Sequence, residues 1–304
     1  MSLDVAVLGS ANVDMVLAVD RFPGAGETII ADHNREVPGG KGLNQAVASA
    51  RAGAATTFIA AVGRDSGARL LLDTLEQEQI EAAGVKSFDA PTGRAVVVVQ
   101  PSGENTIFVV PGANALLELD DADLDLVTRS SVLVAQLEVP LPVVAKAFDI
   151  ARRAGVTAVL NAAPATRLDA DLLDNVDVLV VNEHEAMLLA GDTDPLHAAE
   201  TLVRHVGHVV VTLGAQGAAH VSGDGTVDRL SGLPARAVDT TGAGDTFVGV
   251  LAASLAAGLP MRESLERSVA AGSLAVERAG ATTSIPTRVE VDERLLQHAG
   301  SREG

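Results

Sequence analysis

The feature that most constrains the fold is an alternation of short, continuously apolar runs with longer segments of helical spacing. The apolar runs predict six strands, at Val5–Gly9, Thr57–Val62, Val132–Ala135, Val156–Leu160, Val178–Val181 and Val209–Leu213. Helical spacing occurs between them, at Leu43–Ala52, Ala68–Gln79, Pro142–Ala154 and Pro195–Val206. Such strands, separated by amphipathic helices, indicate a parallel sheet covered on both faces. The sequence therefore predicts an α/β fold of three layers (α/β/α) with a mostly parallel central sheet.

Two segments break this rhythm and predict a small β-sheet apart from the main one. Val16–Val37 alternates polar and apolar residues around turn residues, and Arg94–Val110 contains two β-rich runs joined at Pro101–Asn105. The turn residues of the second segment are typical of a hairpin. We expect one domain over residues 1–304, with an inserted β-sheet lid formed by about 14–38 and 93–111. The small sheet would serve as a lid or as an oligomer surface.

Charge and composition exclude several classes of partner. The net charge of −18 argues against nucleic acid and against anionic membrane surfaces. The longest apolar run, Phe247–Leu259, is too short to span a bilayer. Cysteine is absent and Met1–Val5 has no basic region of the kind that begins a signal peptide. We therefore expect a cytoplasmic protein with no membrane and no nucleic-acid partner.

The most informative motif is Asp-Thr-Thr-Gly-Ala-Gly-Asp-Thr-Phe, from Asp239 to Phe247, followed directly by an apolar helix. Gly242 and Gly244 allow a tight turn, and free N–H groups at the helix start would stabilise an anion. Asp245 lies at the same place, where a carboxylate can take a proton from a hydroxyl group. The alternative is a plain helix start with Asp as its N-cap.

A second glycine cluster, Gly39-Gly-Lys-Gly-Leu-Asn-Gln-Ala46, also enters a helix. It is not a P-loop, because Arg35 stands where that pattern requires glycine and Gly42 where it requires Ser or Thr. Backbone N–H groups and Asn44 suit sugar hydroxyls instead. Asn12 and Asp14, after the first strand, would add to such a pocket. In isolation, however, Lys41 is typical of a solvated charge and the Asn12–Asp14 segment of a turn.

With both motifs in this order, the sequence resembles the PfkB family of carbohydrate kinases. The resemblance extends from Gly9-Ser-Ala-Asn-Val-Asp14 to Ser284-Ile-Pro286. Residues 39–46 have the form found in the members that phosphorylate ribose, and relatives acting on other sugars or on adenosine vary there. The strings Gln136–Glu138, Asn161–Ala165 and Thr212–Gly217 are also similar to those of the ribose-specific members.

The resemblance implies a role for each motif residue. Asp245 would be the general base, and Gly242, Ala243 and Gly244 would form an anion hole. The sugar pocket would be lined by Asn12, Asp14, Gly40, Lys41, Asn44 and Glu138. ATP and Mg²⁺ would be bound by Asn182, Glu185, Thr212, Gly214, Gly217 and Gly244. Taken alone, Asn182–Glu185 is also typical of a helix cap.

The resemblance further implies a monovalent cation, usually K⁺, beside the anion hole. The matching positions, which would act mostly through backbone carbonyls, are Asp239, Thr241, Ala275, Arg278, Gly280 and Ser284. Val269 would lie near the base, where other members place a polar residue. We also expect a homodimer through the lid, because the apolar run Ile107–Val110 needs cover.

Three functions stay open at this point. The resemblance favours transfer of the γ-phosphoryl group of ATP to ribose, giving ribose 5-phosphate. The second is a related kinase acting on deoxyribose, another pentose or a nucleoside. The third is a sugar- or nucleotide-sensing scaffold without catalysis, against which the intact Gly242–Asp245 motif argues. A dehydrogenase is a poor fit, because no Gly-x-Gly-x-x-Gly follows a strand.

Overall fold

The computed structural model of the chain describes residues 3–100 and 105–300. The strands, β1 to β13 in chain order, are Leu3–Leu8, Asn12–Ala18, His33–Gly39, Thr56–Val62, Glu81–Ser87, Gly93–Val99, Asn105–Val110, Ser130–Ala135, Thr157–Asn161, Val178–Asn182, His208–Thr212, Gly217–Ser222 and Val227–Ser231. The helices, α1 to α10, are Lys41–Arg51, Ser66–Gln77, Asp121–Thr128, Leu141–Ala154, Ala170–Leu173, Glu183–Ala190, Pro195–Leu202, Ala243–Ala256, Met261–Ala275 and Arg288–Gly300.

The main sheet has nine strands in the order β13-β12-β11-β10-β9-β8-β1-β4-β5. The seven strands from β11 to β5 pair in parallel, and β12 and β13 extend one edge in antiparallel pairing. The chain winds from β1 toward β4 and β5, and later builds outward from β8 on the other side. This reversal of strand order creates a crevice beyond the carboxyl ends of β1 and β8, where open α/β sheets bind ligands.

Helices cover both faces of the main sheet, which confirms the predicted three layers. In strand β8, Leu133 and Ala135 pack on one face with α3, α4, α6 and α7. Val132 and Val134, which alternate with them, pack on the other face with α1, α2, α8 and α9. Strand residues that contact apolar neighbours on both faces explain the continuous apolar runs. In the described ranges, no helix combines the length and apolar character that a membrane crossing requires.

A smaller sheet stands apart from the main one, as predicted, with the strand order β3-β2-β6-β7. The β2–β3 and β6–β7 pairs are antiparallel and the β2–β6 pair is parallel. The predicted hairpin turn at 101–104 lies outside the described residues. Strand β2 begins at Asn12, shortly after β1 ends at Leu8. The small sheet therefore starts beside the crevice.

Candidate active site

At the crevice, a hydrogen bond joins the segment that follows β1 to the segment that follows β8. Ser10 Oγ donates to Glu138 Oε2 at 2.6 Å, and the N–H of Lys41 approaches the same oxygen at 3.3 Å. The N–H of Gly42 in turn donates to Ser10 Oγ at 3.3 Å. One carboxylate of the predicted sugar pocket is thus held by two segments that are distant in sequence.

The glycines of the first motif are required because α1 begins against the end of β1. Gly40 has a φ of 93°, in the left-handed region, and a Cβ there would lie 2.9 Å from the backbone nitrogen of Asn12. A Cβ on Gly42 would lie 2.6 Å from the carbonyl carbon of Gly9. The backbone at this point approaches too closely for any side chain. The motif is therefore a packing requirement as well as a source of N–H donors.

The side-chain amide of Asn12 is fixed by Asn114, a residue that the sequence did not identify. Asn114 Nδ2 donates to Asn12 Oδ1 at 2.8 Å, and Asn114 Oδ1 accepts the N–H of Ala11 at 3.0 Å. Both asparagines are buried. Because the oxygen of Asn12 is occupied, its amide offers the pocket a donor.

Asp14 lies on β2 beside two other carboxylates. Burial, followed by the negative charges of Glu138 and Asp245, raises the pKa of Asp14 to about 7. Its Oδ1 is buried without a hydrogen-bond partner among the described residues. A Cβ on Gly39 would lie 2.1 Å from Asp14 Oδ2, so this glycine leaves the space that the carboxylate occupies. A buried acceptor of this kind is ready for a ligand hydroxyl.

Asp245 lies in the first turn of α8, and its carboxylate is bonded to side chains of α1. Gly242 is the N-cap, with a φ of 76°, and no side chain caps the helix. Asp245 accepts bonds from Asn44 Nδ2 at 3.0 Å and Gln45 Nε2 at 2.9 Å. The interpretation of Asp245 as an N-cap is therefore wrong. Its buried carboxylate belongs to an interhelical network between α1 and α8.

The start of α8 provides free hydrogen-bond donors beside this carboxylate. The N–H groups of Gly242 and Gly244 have no acceptor in the described part of the chain, and that of Ala243 makes a long bond of 3.3 Å to the carbonyl of Thr240. Around Gly244 there is open space, since a Cβ would meet nothing within 4 Å. These features suit an anion that approaches the backbone closely.

A cavity of about 220 Å³ brings Lys41, Glu185, Gly244 and Asp245 together. The negative charge of Asp245 raises the pKa of Lys41, against the lowering effect of burial, and Glu138 and Glu185 contribute in the same direction as Asp245. Lys41 therefore stays cationic among carboxylates. Its position in the cavity wall differs from that of a freely solvated charge.

Asn182 and Glu185 form a reciprocal cap at the start of α6, as their spacing alone suggests. The N–H of Glu185 donates to Asn182 Oδ1, and the N–H of Asn182 donates to Glu185 Oε2, both at 2.8 Å. Burial raises the pKa of Glu185, which nevertheless lines the small cavity. The capping role and a ligand-binding role are thus compatible.

A larger cavity of about 590 Å³ adjoins the first. Its lining includes predicted nucleotide-site residues, namely Thr212, Gly214, Gly217, Gly244 and Val269. Thr212, Thr240 and Gly244 line both cavities, so the two communicate at the start of α8. The size and the largely apolar lining suit a bound nucleotide base and sugar.

The predicted cation positions come together only in part. Asp239 Oδ1 accepts the N–H of Thr241 at 2.9 Å, and Asp239 Oδ2 accepts the N–H of Gly280 at 2.8 Å. Although burial raises the pKa of Asp239, these bonds lower it overall. Ser284 Oγ donates to the carbonyl of Ala281 at 2.8 Å. The guanidinium of Arg278 pairs with Glu290, and the N–H of Arg278 donates to the carbonyl of Ala275 at 3.2 Å.

The oxygens that the predicted cation positions offer are mostly neutral. Asp239 contributes one carboxylate, and the other predicted positions contribute hydroxyl or carbonyl oxygens, which hard cations prefer. Over residues 3–100 and 105–300, no group of three or more His, Cys, Asp or Glu side chains is arranged to hold a metal ion. A magnesium ion beside the nucleotide would therefore depend on phosphate oxygens and on one or two carboxylates.

Fold and site together define a small-molecule kinase: a buried carboxylate in the first turn of a helix lines a small polar cavity that adjoins a nucleotide-sized one. Comparison with known sequences agrees, since residues 2–288 match the model of the pfkB family carbohydrate kinases. The chain belongs to this family.

Several relatives are ribokinases. The ribokinase of Staphylococcus aureus is 37% identical, over 96% of this chain and 100% of the relative. The bifunctional ribokinase/ribose-5-phosphate isomerase A of Fructilactobacillus sanfranciscensis is 38% identical over 93% of this chain, which spans 54% of that longer protein. The structure of Arabidopsis thaliana ribokinase complexed with ribose and ATP is 34% identical, with a TM-score of 0.91 over 97% of this chain and 99% of that one.

Proposed function

We propose that this chain transfers the γ-phosphoryl group of ATP to the terminal hydroxyl of ribose, giving ribose 5-phosphate and ADP. The observation that carries the proposal is the position of Asp245, which Asn44 and Gln45 hold in the wall of the small cavity, next in sequence to Gly244, which lines both cavities. The similarity to ribokinases, one of which was solved with ribose and ATP, supports these two substrates.

In this proposal ribose binds in the polar pocket beside the end of β1. Asp14 and Glu138 accept hydrogen bonds from ring hydroxyls, and Asn12 donates one, since Asn114 occupies its oxygen. Gly40, Lys41 and Asn44 complete the wall. The small sheet, including segments 14–38 and 93–111, acts as a lid over this pocket and excludes water, which would otherwise accept the phosphoryl group.

Asp245 takes the proton of the attacking hydroxyl as that oxygen bonds to the γ-phosphorus and the bond to the ADP oxygen breaks. The N–H groups of Gly242, Ala243 and Gly244 and the ammonium group of Lys41 stabilise the charge on the transferring group. This machinery works by placement and by fixed positive charge, because phosphoryl transfer needs little covalent participation from the protein.

The adenine nucleotide lies in the larger cavity, bordered by Thr212, Gly214, Gly217 and Gly244, with Val269 against the base. Glu185 and Asn182 would hold the accompanying Mg²⁺, directly or through water, and that ion neutralises phosphate charge when bound. A potassium ion would lie at the loops joined by Asp239, together with oxygens from Thr241, Ala275, Arg278, Gly280 and Ser284. There it would strengthen the positive end of α8.

Two further parts of the proposal concern assembly and location. The strand β7 is the edge of the small sheet, and Ile107, Phe108, Val109 and Val110 are exposed on it. We expect a second copy of the chain to cover this strand, giving a homodimer in the cytoplasm. Sedimentation as a monomer at working concentration would contradict the dimer.

The test is ADP release by the purified chain with ATP, Mg²⁺ and K⁺, using ribose, deoxyribose, fructose, fructose phosphates or adenosine as acceptor. We expect turnover with ribose alone, and slower turnover when Na⁺ replaces K⁺. Turnover with another acceptor would be compatible with Asp245 as the general base and would refute the assignment of the polar pocket to ribose. Absence of turnover with every acceptor would instead support a sensing scaffold.

A further inference from the structure

A buried chain of side-chain amides leads from the main sheet to the carboxylate of Asp245. Gln136 Nε2 donates to Gln45 Oε1 at 2.6 Å, and Gln45 Nε2 donates both to Asn161 Oδ1 at 3.0 Å and to Asp245 Oδ1 at 2.9 Å. We propose that Gln45 is a positioning residue, which fixes the rotation of the Asp245 carboxylate for proton transfer. This inference rests on the proposed kinase function.

The donor–acceptor direction of this series of amides is set at its far end by a main-chain carbonyl, which can only accept a hydrogen bond. Asn161 Nδ2 donates to the carbonyl of Val180 at 3.2 Å, so Asn161 Oδ1 must face Gln45. Gln45 must therefore present its NH₂ group to Asn161, and the same NH₂ group supplies the donor to Asp245. The carbonyl of Val180, in the neighbouring strand β10, thereby determines that Asp245 faces a donor.

A second donor binds the other carboxylate oxygen. Asn44 Nδ2 donates to Asp245 Oδ2 at 3.0 Å, while Asn44 Oδ1 accepts from Thr282 Oγ1 at 2.9 Å. With one donor on each oxygen, the carboxylate cannot rotate about its Cβ–Cγ bond without breaking a bond. Asp245 still lines the small cavity, and its remaining lone pairs are free to accept a proton.

Each polar atom of the Gln45 side chain is used, and one of its bonds goes directly to the carboxylate of Asp245. Its side chain is fully buried, and its Oε1 and Nε2 atoms make three hydrogen bonds across elements far apart in sequence. Neighbouring Asn44 also donates to Asp245 and already belongs to the predicted site. Gln45 belongs to the same motif but is fully buried and lines neither cavity, so its effect on the reaction passes through Asp245.

The first test is Gln45→Met, which keeps the length of the side chain and removes the donor. We expect kcat to fall about 10- to 100-fold, the range that small errors of placement produce. The dissociation constant for ribose, measured by calorimetry, should change less than about threefold, because ground-state binding is not involved. Ser49→Ala is the matched control, since Ser49 Oγ also joins α1 to α8, at the carbonyl of Gly249 at 3.1 Å, without contacting Asp245.

The second test is Gln45→Glu, which gives a readout that a packing role would not produce. The new carboxyl group donates an O–H to Asp245 when protonated and repels it when ionised. The ratio of variant kcat to wild-type kcat should therefore fall as the pH rises from about 6 to about 9. If Gln45→Met fails to fold, this ratio still tests the proposal.

The outcomes separate this inference from the proposed function. Loss of kcat with retained ribose binding in Gln45→Met, near-normal kcat in Ser49→Ala, and a falling ratio in Gln45→Glu would support the inference. Wild-type kcat in Gln45→Met, or a ratio independent of pH in Gln45→Glu, would overturn it and leave the kinase function standing. A wild-type chain that phosphorylates no acceptor would overturn both.

Discussion

The substitution Asp14→Asn should stabilise the ligand-free protein at neutral pH while weakening ribose binding. Asp14 is the site carboxylate whose burial, together with the charges of Glu138 and Asp245, raises its pKa from 3.8 to about 7. A raised carboxyl pKa means that the folded protein holds a proton that the unfolded chain releases. The free energy of unfolding therefore falls as the pH rises from about 4 to about 7, and the loss is complete above about 7.

The size of the effect follows from the shift in pKa. Each tenfold change in proton affinity is worth about 1.4 kcal/mol, so a rise from 3.8 to about 7 corresponds to a ceiling of about 4 kcal/mol. Solvent screening at a partly accessible group reduces this, and we expect a gain of about 1–3 kcal/mol for Asp14→Asn at about pH 8. At about pH 4 the two proteins should be equally stable.

The assay is urea unfolding followed by circular dichroism, because the chain contains no Trp or Tyr for fluorescence. Asp20→Asn is the control, since Asp20 is an exposed carboxylate shortly after the same strand. It should change the free energy of unfolding by less than about 0.5 kcal/mol. Ribose affinity should fall about 10- to 100-fold in Asp14→Asn alone. Equal stability of Asp14→Asn and wild type at every pH would refute the argument.

Other substitutions test separate parts of the site. Gly217→Ala should lower the free energy of unfolding by about 2–4 kcal/mol, because φ is 101° and a Cβ would lie 2.1 Å from the carbonyl oxygen of Leu230; an unchanged thermal midpoint would contradict this. Gly244→Ala has open space around it and should keep wild-type stability while lowering kcat at least about tenfold, as measured by ADP release. Thr282→Val removes the donor to Asn44 and should lower both kcat and the free energy of unfolding, the latter by about 1–2 kcal/mol, in paired kinetic and unfolding measurements.

The parallel part of the fold was predictable from sequence because its strands are buried on both faces. All six predicted strands occur, with ends that differ by at most two residues. Strands β5 and β13 were not predicted. They lie at the two edges of the sheet, and their residues are mostly exposed or half-buried, so they contain no continuous apolar run.

Strand β12 was missed for a different reason. Its sequence, Gly-Ala-Ala-His-Val-Ser, is fully buried, but small and polar residues form most of it. One polar atom of its His220, Nε2, finds a partner in His208 Nδ1, which lies 3.0 Å away on the adjacent strand β11. A contact between two strands of the sheet is not visible in the residue pattern of either one.

The site was predictable where its residues lie in short motifs and not where they depend on distant partners. Asp245 and Asn44 belong to such motifs, and the structure joins them directly. Asn114 and Thr282 were missed, because each acts by orienting an asparagine more than one hundred residues away. No local spacing reveals such a partner. Gln45 was visible within the motif, but its role appears only when Asn161 and Asp245 are brought beside it.

The measurement that most directly tests the central claim is a comparison of Asp245→Asn with wild type in single-turnover phosphorylation of ribose. The amide keeps the size of the side chain but cannot accept the proton, so turnover should fall by about 10²- to 10⁴-fold. Ribose and ATP affinities, measured by calorimetry on the same preparations, should stay within about threefold of wild type. Near-wild-type turnover by Asp245→Asn would contradict the account.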